Sequence, residues 1–304
     1  MGEQIQFAVK RLDGEQLALE VLGPDGAWRL PLRLEQAEFL GNELLEVVST
    51  VKRENKIARL KQYIQDVMVD IPTGKFWMGS EPNRSIADDE LPRHQVNLSQ
   101  PIEINRLLVS QALYQMVTNE NPSFFSDPQN PVDAISWFDA IRFCNQLSEL
   151  LNLQPCYEIN GQTVYWYRDR NGYRLPTEAE WEYVARANQN MRFSGGASLD
   201  LLAWTSKNAQ NQMHNVGQKD PNGWGVYDMS GLVFEWCWDW YGPYTGVKEI
   251  DPAGPENGVR RVCRGGAWNR EGWFARVSCR SSEVPITRCS NIGFRFCRSK
   301  EPGK

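Results

Sequence analysis

Apolar and polar residues alternate over the first thirty positions, with Ile5, Phe7 and Val9 followed by Leu17, Leu19 and Val21 and then by AWRLPLRL. The Leu12-Asp13-Gly14 and Asp25-Gly26 steps between these runs carry residues that tight hairpin turns require, so the pattern predicts a three-stranded meander. From Glu35 the period lengthens. Phe39, Leu40, Leu44 and Val47 fall at helical spacing, and the charged run KRENKIARLKQYIQ continues as a helical connector. A domain boundary near residue 66 follows, giving a small unit over 1–66 and a larger domain over 67–304.

Beyond that boundary the texture changes. VDIPTGKFWMGS reads as a strand, a turn and a second strand, and SEPNRSIADDELPRHQ as an acidic loop crossing a surface. Two helices are well marked. Ser136 can cap the first with Asp139, and Ile141, Cys144, Leu147 and Leu151 form its apolar face. Thr177 and Glu180 form a capping box on the second, whose Trp181, Val184 and Ala185 point inward. After Ala187 no strong helical period remains and Gly, Asn and Pro are frequent, which predicts short strands and long loops.

Composition narrows the class. The chain has 304 residues, 41% of them hydrophobic and 23% charged, with no apolar run long enough to span a membrane. A net charge of -5 offers no basic footprint, so nucleic acid is not an expected partner, and neither is membrane insertion. Seven cysteines lie without a C-x-x-C pair, a pattern that suits free thiols in a reducing compartment. With no secretion signal at the first residues, a cytoplasmic location is expected. The 12 tryptophans and 24 glycines point to irregular backbone held by large rings. His94 and His214 are the only histidines, which leaves little room for imidazole chemistry and reads as structural.

Seven stretches then occur in a telling order: FWMGS at 76–80, DDELPRHQV at 88–96, NPVDAISWFDAIRFCN at 130–145, YRLPTEAEWEYVARA at 173–187, PNGWGVYDMSGLVFEWCWDWY at 221–241, RVCRGGAW at 261–268 and NIGFRFC at 291–297. Together they resemble the formylglycine-generating enzyme family, also called the sulfatase-modifying-factor domain, over residues 67 to 299. The resemblance implies an α+β, C-type-lectin-like core of two helices and a small twisted sheet wrapped in irregular backbone, with the β-rich 1–66 unit outside it. Enzymatic members of the family hold copper between two cysteines just after the Gly-Gly motif, as soft thiolates suit Cu(I). Here residues 267–275 read AWNREGWFA without a cysteine, so neither copper nor catalysis is expected, and no two sulfurs are expected to share a pocket near the last loop. A second catalytic branch, the iron-dependent sulfoxide synthases, needs a three-histidine site that two separated histidines cannot supply. The family's calcium site, carried over, falls on Asp228, Gly231, Val233 and Glu235, hard oxygen donors that suit a structural Ca²⁺, although Leu232 stands where Asn is usual.

The C-terminal stretch 261–297 keeps the family's fixed points, Arg264-Gly265-Gly266, Arg276, Arg280, Pro285 and Gly293-Phe294-Arg295. Between them lie Asn269, Glu271, Trp273, Phe274, Cys279, Ser281, Glu283, Ile286, Thr287, Arg288, Cys289 and Ser290, without hydrophobic periodicity. The arrangement is similar to the variable proteins of diversity-generating retroelements, in which adenine-directed copying scatters changed residues over a lectin-fold surface. Asn-type codons altered at adenine reach Ser, Thr, Ile, Cys, Arg and Val, the assortment found here. The resemblance therefore implies a non-catalytic protein that binds a protein or other macromolecule through these twelve residues. Aromatics beside Arg270, Arg276 and Arg288 match the residue types of binding hot spots. Trp268 is expected to pack under the loop, and Arg276, Arg280 and Arg295 to tie loops rather than touch ligand. The 1–66 unit is expected to dock on another protein, and the alternative function is a divergent copper- and oxygen-dependent oxidase acting on a protein cysteine.

Overall fold

The structure, a computed structural model, describes residues 6–11, 17–23, 26–82 and 86–300. In chain order the elements are β1 (Gln6–Arg11), β2 (Leu17–Gly23), β3 (Gly26–Leu32), α1 (Leu34–Val67), β4 (Met68–Ile71), β5 (Gly74–Met78), β6 (His94–Leu98) and β7 (Ile102–Asn105). There follow α2 (Gln111–Thr118), α3 (Trp137–Leu150), β8 (Tyr157–Asn160), β9 (Thr163–Trp166), α4 (Glu178–Arg186), α5 (Leu199–Leu202), β10 (Phe234–Trp240) and β11 (Glu249–Ile250). Last come β12 (Arg261–Arg264), β13 (Arg280–Glu283), β14 (Ile292–Gly293) and β15 (Cys297–Ser299).

The chain divides into two compact units, Met1–Leu60 and Lys61–Lys304. In the first, β1, β2 and β3 form the antiparallel meander that alternation predicts, Val9 facing Leu19 and Val21 facing Trp28. Ile5 and the Asp13-Gly14 turn lie outside the described residues, as does Asp25. Helix α1 is 34 residues long, and Phe39 and Val47, expected on its apolar face, are both exposed.

The second unit carries small sheets rather than one large one, with strand orders β13-β12-β10-β14, β11-β6-β5, β15-β7-β4 and β8-β9. Strands β4 and β5 are consecutive yet pair with β7 and β6 respectively, so the turn between them joins two sheets. Both marked helices begin where their caps place them. Ser136 and Asp139 form a capping box on α3, as Thr177 and Glu180 do on α4, each pairing an orphan backbone N–H with a side-chain oxygen. Ile141, Cys144 and Leu147 are fully buried, as are Trp181, Val184 and Ala185, while Leu151 at the end of α3 is half-buried. Helix α2, capped by Ser110, is an element that the period of the sequence did not mark.

The core joins the sheets to α4 through Ile71, Val96, Ile104, Trp181, Val184 and Val262. Indole rings hold the loops around it. Trp137 donates to the Cys237 carbonyl at 2.9 Å and Trp236 to the Ile135 carbonyl at 3.1 Å, so each burial of a large ring also satisfies a buried carbonyl. The acidic loop departs from its expected surface course. Glu90 is fully buried and accepts both Arg276 Nη groups, at 2.9 and 2.6 Å. No described helix is long and apolar enough to cross a membrane.

Candidate functional site

Four buried arginines fix the C-terminal stretch to the rest of the second unit. Arg264, fully buried at the end of β12, donates to the carbonyls of Val277, Ser278 and Cys279 and to the Glu182 carboxylate. Arg276 grips Glu90, Arg280 grips Glu178 at 2.7 and 2.8 Å, and Arg295 grips Glu235 at 2.5 and 2.9 Å. They tie loops as expected, but mainly through buried carboxylates. Burial alone would raise the Glu178 carboxyl; the Arg280 and Arg264 cations outweigh it and hold it below its ordinary value. Bidentate guanidinium pairs fix orientation as well as charge, which makes the strand ends around them rigid.

Between the fixed points the chain opens. Gly265 and Gly266 adopt φ of 96° and 79°, and a Cβ on Gly266 would meet the Ala275 nitrogen at 2.9 Å, so the turn into the loop requires glycine. Asn269 and Glu271 are exposed, and Trp273, 43% exposed, stacks on Phe274 with ring centroids 3.6 Å apart. Trp268 is buried in a cluster with Leu108, Leu232 and Phe125 and donates to the Ser290 carbonyl at 3.2 Å. The returning segment is clipped to the start of α3, where the Trp137 N–H donates to the Pro285 carbonyl and the Ala134 N–H to the Cys289 carbonyl. On it Ile286 is 69% exposed, Arg288 is exposed and pairs with Asp139 at 2.7 Å, and Thr287, Cys289 and Ser290 are half-buried.

A depression of about 210 Å³ collects part of this set: Phe274, Ser281, Glu283 and Cys289 line it, together with Cys263 and Arg270. Pairing of β12 with β13 sets Cys263 opposite Ser281 and Arg261 opposite Glu283, which is why a residue from the framework strand reaches the site. Sequence reasoning left Cys263 out because its pairing partner is not adjacent in the chain. Two expectations need correcting. Cys279 is not a surface residue: it is 3% exposed, and burial pushes its thiol up to about 11. Nor are sulfurs kept apart near the last loop, since Cys263 and Cys289 line one depression. Burial raises both thiols, that of Cys263 well above its ordinary value, and the Glu283 carboxylate pushes the same way. Reactive or metal-binding thiolates need the opposite, an electropositive setting.

The expected calcium ligands lie on a tight turn with φ of 58° at Asp228, 81° at Gly231 and 67° at Leu232. Glu235 has both oxygens on Arg295, so its charge is already balanced. Asp228 is different. It is 2% exposed and accepts the Gly217 N–H at 2.7 Å, and burial raises its carboxyl to about 6. Among the described residues no group of three or more His, Cys, Asp or Glu side chains gathers to hold a metal ion, so of the expected donors this turn brings only the Asp228 and Glu235 carboxylates, and Glu235 is spent on Arg295. Of the two histidines, His94 lies edge-on to Tyr244, and His214 stacks on Trp204 at 3.7 Å.

Residues 54–300 match the sulfatase-modifying factor enzyme 1-like domain. The chain is 36% identical over 232 residues to the chaperone protein LppX of Paenibacillus barcinonensis, a span covering 65% of this chain and 80% of that protein. It is 32% identical to the formylglycine-generating enzyme of Streptomyces coelicolor over 55% of this chain and 52% of that enzyme. Among solved structures, Treponema denticola variable protein 1 is similar with a TM-score of 0.71 and 33% identity, covering 77% of this chain and 95% of that one. The α+β, C-type-lectin-like architecture is shared with these folds.

Proposed function

The chain belongs to the sulfatase-modifying factor enzyme 1-like family, and on that footing we propose that it is a non-catalytic ligand-binding protein whose C-terminal surface is diversified on a lectin-like scaffold. One contrast carries this reading. Within the single stretch 261–297, Arg264, Arg276, Arg280 and Arg295 are buried and paired with carboxylates, the last three bidentately, while Asn269, Glu271, Trp273, Ile286 and Arg288 stand exposed. A fixed edge with a free middle is what a surface needs if its contacts are to change without loss of fold. Likeness to a protein titled variable protein 1 supports the same view. Trp273 and Phe274 supply rigid aromatic area for a protein or other macromolecular ligand. In the N-terminal unit the exposed Trp28, Leu30, Leu45, Val48 and Val51 support docking of that unit on another protein. Sequencing the flanking DNA tests the diversification: a reverse-transcriptase gene and a near-copy of codons 261–297 differing only at adenines are expected, and a flank with neither removes it.

The shared depression of Cys263 and Cys289 favours one second reading, a copper-dependent oxidase acting on a protein cysteine. Titration with Cu(I) separates the two. Tight stoichiometric binding lost in Cys263→Ser and Cys289→Ser would establish the oxidase reading, whereas the raised thiols and neighbouring Glu283 favour no such binding.

A further inference from the structure

A second cleft, of about 390 Å³, opens among the Gly79–Glu81 segment, the end of α4 and the loop at Asn190–Arg192. Four guanidinium groups line it, those of Arg93, Arg186, Arg192 and Arg276. Their commitments differ. Arg276 is bidentate on buried Glu90, and Arg186 holds Glu182 through Nε at 2.9 Å and Nη2 at 2.6 Å. Arg93 pairs with Glu81 at the mouth and lies over the Trp77 ring. Glu182 is also shared with fully buried Arg264, so that one carboxylate serves two cations. Arg192 is exposed and has no carboxylate within ion-pair distance among the described residues; its guanidinium lies 5.5 Å from the Phe193 ring centre.

The charge count follows from these pairs. The four lining arginines, Arg93, Arg186, Arg192 and Arg276, face Glu81, Glu90 and Glu182, four cations against three anions, and Arg192 is the one left over. The neighbouring Arg280–Glu178 pair is balanced in itself and leaves this excess of one unchanged. The Ser80 and Ser278 hydroxyls do not reduce it, since both converge on Glu90 Oε2, at 2.9 and 2.7 Å. Excess positive charge in a partly enclosed polar cleft lowers the free energy of an anion placed there, and planar guanidinium forks match the geometry of an oxyanion. The volume lies within the range of about 300–1,000 Å³ that suits small ligands.

We infer that this cleft binds the oxyanion group of a small molecule, a carboxylate, sulfate or phosphate, held by Arg192 together with the unspent N–H groups of Arg186 and Arg93. The cleft shares Arg276 and Ser278 with the 261–297 stretch but none of its twelve changeable positions, so its failure would leave that reading intact. The probes are sodium phosphate, sodium sulfate and sodium acetate, titrated calorimetrically against the full chain with chloride matched for ionic strength. At least one of the three binds the wild-type protein. Arg192→Ala weakens that binding about tenfold or more, because one charge-assisted contact is removed. Arg192→Lys restores part of it, Arg142→Ala at an exposed position outside both sites leaves it unchanged, and the anion-free unfolding midpoint of Arg192→Ala equals that of the wild type. Binding of acetate alone assigns a carboxylate ligand, and binding of phosphate or sulfate a tetrahedral one. No binding above chloride by any probe, or equal binding by Arg192→Ala and wild type, overturns the inference.

Discussion

Asp239 is buried at the start of α4, where its Oδ2 accepts the Glu178 N–H at 2.8 Å. Burial, reinforced by the Glu178 anion, raises its carboxyl to about 8. A folded-state value above the ordinary one means that the contribution is complete below about pH 4 and is lost as pH rises toward 8. Asp239→Asn keeps an acceptor for the Glu178 N–H and removes that loss. Urea unfolding should therefore show the variant level with wild type at pH 4.5 and more stable by at least about 1 kcal/mol at pH 8.5. A gap that stays constant across the window would refute the assignment. Asp228, raised to about 6 by burial, is the same problem with a different proposed remedy, a calcium ion on its turn. Protein stripped with EGTA should gain several degrees of unfolding midpoint in millimolar calcium at pH 7.5, and Asp228→Ala should gain none. An unresponsive wild type would exclude calcium from the turn. The family motif marks Asp228 in the sequence, but the burial of either aspartate is not legible there, since distant segments set it.

Elements were legible where their signals are local. The capping boxes of α3 and α4 fix both helix starts from four consecutive residues each, and the meander follows from alternation. Helix α2, at eight residues, is too short to display a period, and β13 gives no alternation because Arg280 is buried for charge pairing while its neighbours are half-buried. The acidic loop was misjudged for the same reason, since only the fold brings Glu90 to Arg276. That pair marks the edge of the C-terminal surface and separates it energetically from its middle. Arg276→Ala strands a buried carboxylate and should cost about 3–5 kcal/mol, read as a lower urea midpoint. Arg288→Ala breaks a half-exposed pair with Asp139 and should cost less than about 1 kcal/mol. Similar losses in both would abolish the distinction between frame and surface.

At the scale of the molecule, the regular structure of the second unit holds a long irregular loop in place. Small sheets and three helices of eight or more residues surround buried arginine–carboxylate pairs, and indole N–H groups satisfy the carbonyls of the irregular backbone. The family motifs made this scaffold readable because they are the scaffold. The depression with Cys263 was not readable, because it arises from the register of β12 on β13. If the middle is free, then changing Asn269, Glu271, Trp273, Ile286, Thr287 and Arg288 together should leave the fold intact. Each of these side chains is exposed or half-buried, and surface substitutions away from special contacts usually stay within about 0.5 kcal/mol. A library randomised at these six positions should yield mostly soluble protein whose unfolding midpoints lie within a few degrees of the parent, while ligand preference varies among its members. The Trp273–Phe274 stack is where the strongest departure is expected, because losing one ring uncovers the other. Cooperative unfolding lost in most members would mean that the stretch is core rather than platform, and that its variety of side chains serves packing.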